Sequence, residues 1–273
     1  MSSPDYVLGS DDAEIARLQV QAQIIAEPTA LLFERGGVRA GMRVLDLGSG
    51  PGDVAFQVAH IVGPDGHVVG LEQDPAQIVV AERRRDELGL PNVVFRRGDA
   101  RTFVDDQPFD AVVCRLLLMH LPDAQDVLAH HVGNLRPGGL FVAVDYDMAG
   151  ARTRSEVELF SDVLRWLTAG FEHAHVDPSV GMRFPVLFEK AGLHDVGSLG
   201  IQAYFGPDDR QAPGYVVGVV RALKDAIVAS GVVTEEELDI DTLEQRLYDA
   251  ISAADAVWTV PTVVGGWGRR PEG

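Results

Sequence analysis

Between Gly41 and Val144 the chain alternates short apolar runs with longer amphipathic ones. The short runs are Arg43–Leu47 (RVLDL), His67–Leu71 (HVVGL), Asn92–Arg96, Phe109–Cys114 (FDAVVC) and Leu140–Val144 (LFVAV). Phe109–Cys114 shows no polar alternation, as expected of a strand buried on both faces. The segments Asp53–Ile61, Pro75–Leu88 and Ala124–Leu135 read as helices. Pro75 suits a first helical turn, and Pro137-Gly138-Gly139 closes the last of the three. Glycine turns at Gly48–Gly52 and Gly63–Gly66 separate the earlier elements. Strands alternating with helices at this spacing predict an open α/β sheet, parallel here, with right-handed crossovers.

The flanks follow other rhythms. Met1–Ser10 is polar, and Asp11–Arg35 reads as helix. Ile15, Leu18, Ile24, Ile25, Leu31 and Leu32 form its broken apolar stripe, and Pro28 marks a break or a second start. After Asp147, helices are expected at Ser155–Phe171, Phe184–Ala191, Gly214–Ser230 and Glu235–Ala254. Leu199–Phe205 and Ala256–Trp267 look like strands that complete the sheet as an antiparallel pair. No Pro/Gly/Ser linker divides the chain, so residues 1–273 read as one domain with additions. Residues 1–39 would be a helical cap, 40–150 the core, 151–206 and 255–273 the sheet completion, and 207–254 a helical insertion.

Composition narrows the class. The 273 residues are 46% hydrophobic, which suits a globular protein and excludes general disorder. The net charge of −18 argues against a nucleic-acid face and against docking on anionic membranes. No membrane-length apolar run and no leader pattern is apparent, so a cytoplasmic protein is expected. A single cysteine, Cys114, excludes an internal disulfide and a cysteine-based zinc cluster. It lies in an apolar strand and reads as core filler.

The chemistry concentrates after the strands. Val44-Leu45-Asp46-Leu47-Gly48-Ser49-Gly50-Pro51-Gly52 runs a strand into a glycine turn and then a helix. Open α/β sheets bind ligands at the carboxyl ends of their strands. Glycines let the backbone approach a ligand, and the next helix offers free N–H groups. A dinucleotide fold wants G-x-G-x-x-G, but its third position here is Asp53, and no P-loop Lys follows. Glu72 ends the second strand, where a carboxylate can accept ribose hydroxyls. Gly98-Asp99-Ala100 follows the third strand, and Asp99 could accept from an exocyclic amine. Asp110 opens the fourth strand, and Leu135-Arg136-Pro137-Gly138-Gly139 precedes the fifth.

In this order the segments resemble the class I S-adenosylmethionine-dependent methyltransferases. VLDLGSGPG resembles their first motif, VVGLE their ribose-binding strand end, GDA their adenine motif, and LRPGG their turn before strand five. The cap and Gly181–Leu193 (GMRFPVLFEKAGL) resemble the small-molecule branch, close to quinone-biosynthesis and natural-product enzymes of secondary metabolism. The resemblance implies a Rossmann-like seven-stranded mixed sheet with S-adenosylmethionine as cofactor. It implies that Gly48, Ser49, Gly50 and Gly52 line the methionine and ribose side. Asp46 would hold the methionine amino group, and Glu72 the ribose. Gln73 would lie along the adenine, Asp99 and Ala100 would read its edge, and Arg115 would contact the methionine end. Arg115-Leu116-Leu117-Leu118 replaces the Asn- or Asp-led Pro-Pro motif of amine- and base-methylating enzymes, which disfavours those acceptors. No acidic ligand stands there either, which disfavours a catalytic metal.

Methyl transfer needs alignment and exclusion of water, and a base only if the nucleophile arrives protonated. His120 could be that base, against a competing role in packing and hydrogen bonding that weighs more. Tyr146 and Asp145 could face the acceptor or make loop hydrogen bonds. His173, His175 and Asp177 read as solvated loop residues rather than metal ligands. His130 and His131 are adjacent on a helix and are expected to point apart. Arg83-Arg84-Arg85, among Glu82, Asp86 and Glu87, reads as a solvated face. Tyr6, Arg17 and Gln21 could touch the cofactor from the cap. Trp166, Phe171, Tyr204, Phe205, Tyr215 and Trp258 supply aromatic surface, favouring an apolar or aromatic acceptor methylated on oxygen or carbon. The insertion could serve as a lid or join two copies into a homodimer. A non-catalytic nucleoside-binding module, an NAD-dependent oxidoreductase and, more weakly, an RNA or protein methyltransferase are the competing classes.

Overall fold

The computed structural model describes residues 25–210 and 212–272. The expected positions Ile15, Leu18 and Ile24, and the cap residues Tyr6, Arg17 and Gln21, lie outside the described residues. The backbone clusters into two compact units. One holds the described residues through Tyr146 together with 179–200 and 263–272; the other holds 147–178 and the described part of 201–262.

The first unit begins in helix α1 (25–36), which runs through Pro28 without a break. Ile25, Thr29, Leu32 and Phe33 form its buried face, at the spacing of one helical stripe. Gly36 lets it approach the sheet closely: a Cβ there would meet Val142 Cγ2 at 2.9 Å. The alternating core then follows as β1 (Arg43–Leu47), α2 (Asp53–Val62), β2 (His67–Glu72), α3 (Pro75–Leu88), β3 (Val93–Arg97), β4 (Phe109–Arg115), α4 (Ala124–Val132) and β5 (Leu135–Asp147). All five expected strands are present. β5 starts earlier than its apolar run, because Leu135 already pairs with Phe109 before a register shift near Asp110.

β2 and β4 both pair with β1 in parallel, with Leu45 opposite Val69 and Val112. β3 pairs parallel to β2, and β5 parallel to β4. α6 (Phe184–Lys190), β7 (His194–Ile201) and β10 (Thr262–Arg269) complete the unit. The strand order is β3-β2-β1-β4-β5-β10-β7, a seven-stranded mixed sheet. The crossovers go one way from β1 and the other way from β4. The carboxyl ends of β1 and β4 therefore flank the switch point, where such sheets open a crevice.

The second unit contains β6 (Arg152–Thr153), α5 (Glu158–His173), β8 (Tyr204–Phe205), α7 (Ala212–Ala222), α8 (Lys224–Ala229), α9 (Glu235–Leu238), α10 (Leu243–Ala253) and β9 (Trp258–Thr259). The two-residue strands form a small antiparallel sheet, β6-β9-β8. This corrects the expected late strands. Tyr204-Phe205 and Trp258-Thr259 leave the large sheet, where β7 and β10 take neighbouring segments. Trp258 anchors the small sheet, packing edge-on to Phe160 at 5.6 Å and tilted on Phe205 at 5.1 Å between ring centroids. The two expected insertion helices are each split, at Leu223 and between Leu238 and Leu243. No helix among the described residues is long and apolar enough to cross a membrane.

Candidate active site

Asp46 occupies the next-to-last position of β1, inside the sheet, and is 1% exposed. Neither carboxylate oxygen has a hydrogen-bond partner. Burial holds its carboxyl well above the usual carboxylate range, and Glu72 and Asp53 add to that. The Arg115 charge acts the other way without reversing it. Ser49, three residues on, is also buried, and its hydroxyl has no partner. Two buried acceptors left open at one strand end are costly unless something donates to them.

The turn itself needs glycine. Gly48, Gly50 and Gly52 all have positive φ, at 65°, 50° and 94°. Gly52 is tighter still, since a Cβ there would stand 2.5 Å from the Phe56 ring. The Ser49 amide donates to Leu71 O at 3.0 Å, and the Gly52 amide to Ser49 O at 2.9 Å. Arg84 reaches across from α3 and donates to Pro51 O and to Asp53 Oδ1, each at 2.7 Å. It also lies over the Phe56 ring. Arg84 is therefore not part of a solvated face. The sequence could not show this, because its partners lie more than 30 residues away.

Glu72, at the end of β2, gathers backbone donors. Oε2 accepts from the Gly50 amide at 2.9 Å, and Oε1 from the amides of Gln73 at 2.7 Å and Asp74 at 2.9 Å. Oε2 thus keeps accepting capacity, and Gln73 follows directly. Asp99 Oδ1 accepts from the Arg101 amide at 2.8 Å, which fixes the carboxylate and leaves Oδ2 open. Arg101 in turn grips Asp123 through two nitrogens, at 2.7 and 3.1 Å.

Arg115 ends β4. Leu116, next in the chain, has a positive φ of 52°, a strained conformation for a branched side chain at the switch point. A single 3-10 turn at Leu118–His120 follows, placing His120 half-buried. Asp145 ties this turn to β5: its Oδ2 accepts from the Met119 amide at 3.2 Å, and Oδ1 from the Tyr146 amide at 3.0 Å. Tyr146 is buried near the end of β5. All twelve expected site residues thus lie at or just after the carboxyl ends of β1 to β5.

Two expected signals lie elsewhere. Asp110 and Leu135–Gly139 stand at the amino ends of β4 and β5, the opposite end of the strands. Asp110 accepts from the Arg43 amide at 2.7 Å and pairs with Arg136 at 2.5 Å. Asp110 thereby ties β4 to β1 and to the start of β5. His130 and His131 need correction too, since both ring Nε2 atoms reach the one loop after β3. Burial pushes the Cys114 thiol up, as suits an inert core residue. No group of three or more metal-binding side chains is gathered among the described residues.

A family model described as "Methyltransferase domain" matches residues 39–181, just over half of the chain. The chain belongs to this methyltransferase family. The ubiquinone/menaquinone biosynthesis C-methyltransferase UbiE of Pseudomonas fluorescens is 34% identical over 116 residues, 42% of this chain and 45% of the relative. An arsenite methyltransferase of Halobacterium salinarum is 35% identical over 131 residues, 48% and 33% of the two chains. A trans-aconitate 2-methyltransferase of Methylobacterium radiotolerans is 29% identical over 169 residues, 62% and 61%. The chain spans about half the length of these curated relatives or less, three fifths in the last. Among solved structures, YcgJ of Bacillus subtilis superposes with a TM-score of 0.56 at 20% identity, covering 89% of this chain and 97% of that one. The phosphoethanolamine N-methyltransferase 2 of Haemonchus contortus, bound to S-adenosylhomocysteine, gives 0.55 at 18% identity, covering 89% and 52%. These likenesses show the class I methyltransferase fold.

Proposed function

We propose that this methyltransferase-family chain moves a methyl group from S-adenosylmethionine to an oxygen or carbon of an apolar or aromatic small molecule. The observation that carries the reading is the pair of buried open acceptors at the end of β1, Asp46 and Ser49. A ligand with a cationic amino group answers both the open hydrogen bonds and the raised carboxyl of Asp46. When bound, the cofactor supplies a methyl group on a positively charged sulfur. Asp46 and Ser49 would hold its methionine end, with Arg115 toward the carboxylate. Glu72 Oε2 would accept from the ribose, Gln73 would lie along the base, and Asp99 Oδ2 would accept from its exocyclic amine. The Ala100 backbone, with the backbone of the Gly48, Gly50 and Gly52 turn, would complete the lining.

The chain's remaining task is to align an acceptor and exclude water. His120 and Tyr146 follow β4 and end β5, and we assign to them contact with the acceptor. Proton removal by either is needed only for a protonated nucleophile. The relatives include a carbon-methylating enzyme of quinone biosynthesis, an arsenite methyltransferase and a trans-aconitate methyltransferase. We assign acceptor choice to residues outside the shared core. In the second unit Trp166, Phe171 and Trp258 are buried core, and the accessible aromatic side chains Tyr204, Phe205 and Tyr215 are what supports an aromatic or apolar acceptor. The test is incubation with methyl-labelled S-adenosylmethionine and a panel of quinols, phenols, amines and carboxylates. Transfer to quinols or phenols supports the reading. Binding of the cofactor with no transfer to any acceptor would favour a non-catalytic binding module.

A further inference from the structure

The loop after β3, residues 98–103, is tied down by side chains from one helix and its C-terminal end. His131 Nε2 lies 2.7 Å from Ala100 O, and His130 Nε2 lies 2.8 Å from Phe103 O. Both nitrogens face carbonyl oxygens, so both must carry the hydrogen. Asn134 Nδ2 donates to Phe103 O at 2.9 Å and to His131 Nδ1 at 3.0 Å. His131 is fully buried, and burial lowers its pKa to about 4, so near pH 7 it is a neutral ring with one donor and one acceptor. Each ring atom faces the complementary group. The other end of the helix is tied to the same loop, where Asp123 receives both Arg101 nitrogens.

We infer that His131, oriented by Asn134, is a positioning residue for base recognition by Asp99 and Ala100. The inference rests on the proposed cofactor reading. Holding the Ala100 carbonyl fixes the peptide plane between Ala100 and Arg101. The Arg101 amide on that plane holds Asp99 Oδ1, so Oδ2 keeps one direction. His131 thus sets the aim of a carboxylate that it does not touch.

The test measures binding of S-adenosylhomocysteine and of its inosine analogue, which lacks the exocyclic amine, by calorimetry. Wild type is expected to prefer the adenine compound. His131→Leu, which leaves Ala100 O without its donor, should reduce that preference about tenfold, the scale of one buried hydrogen bond. His131→Gln, whose amide can donate to Ala100 O, should restore most of it. A purely structural role would weaken both ligands equally and leave the preference intact, which would overturn the inference. Should His131→Leu not fold, Asn134→Ala serves: it should lower the preference by a smaller factor, and an unchanged preference counts against the inference. Failure of wild type to bind S-adenosylhomocysteine at all would instead remove the cofactor reading itself.

Discussion

Asp46 joins stability to binding in one residue. Its folded pKa lies above its unfolded value, so the unfolded chain ionises first as pH rises. Stability is therefore lost as pH climbs from about 4 toward that raised value. Asp46→Asn removes this cost. It should raise the melting temperature at pH 7 by a few degrees while weakening S-adenosylhomocysteine more than about tenfold. Differential scanning calorimetry with and without ligand checks both halves. Such a trade marks a residue kept for a ligand rather than for the fold. His131 has the opposite sign. Its folded pKa of about 4 lies below the ordinary 6.5, because burial disfavours the charged ring. Its contribution is complete above pH 6.5 and is lost as pH falls toward 4, by up to about 3 kcal/mol. Urea titrations across that range should show the slope in wild type and a flatter one in His131→Gln.

At the scale of elements, the glycine turn is held from outside as well as by its own dihedrals. Arg84→Met removes two charge-assisted hydrogen bonds, to Pro51 O and Asp53, while keeping the aliphatic stem. Charged hydrogen bonds contribute about 1.5–3 kcal/mol when buried, less at this partial exposure. Cofactor affinity should fall about threefold to tenfold, with a smaller change in melting temperature. Equal affinity would mean that the turn keeps its shape unaided. The core strands were legible in the sequence because each apolar run is short and bounded by glycine, proline or charge. The β1 turn was legible because its glycines adjoin Asp46. Arg84, His131 and Asn134 were not, since their partners sit in other elements and only the tertiary fold brings them together. Asp110 shows the converse: it belongs to a recognisable pattern, yet it binds Arg43 and Arg136 at the amino end of β4, away from the strand ends that carry the other motifs.

For the whole molecule, pattern alone was weakest after Asp147. Val257, Trp258, Val260, Val263 and Val264 read as one strand, but Pro261 interrupts it. The chain instead gives Trp258-Thr259 to the small sheet and Thr262–Arg269 to the large one. Proline has no amide to donate to a ladder, so one run became two strands in two units. The charge of −18 also reads differently at this scale. Asp46, Glu72 and Asp99 stand together in sequence order at consecutive strand ends, where proposed ligand donors would meet them. Isothermal titration of S-adenosylhomocysteine into wild type and Glu72→Ala tests the central claim most directly. One site per chain is predicted, with affinity at least about tenfold weaker in the variant, the scale of a charge-assisted hydrogen bond. No binding to wild type, or equal affinity in Glu72→Ala, would contradict it.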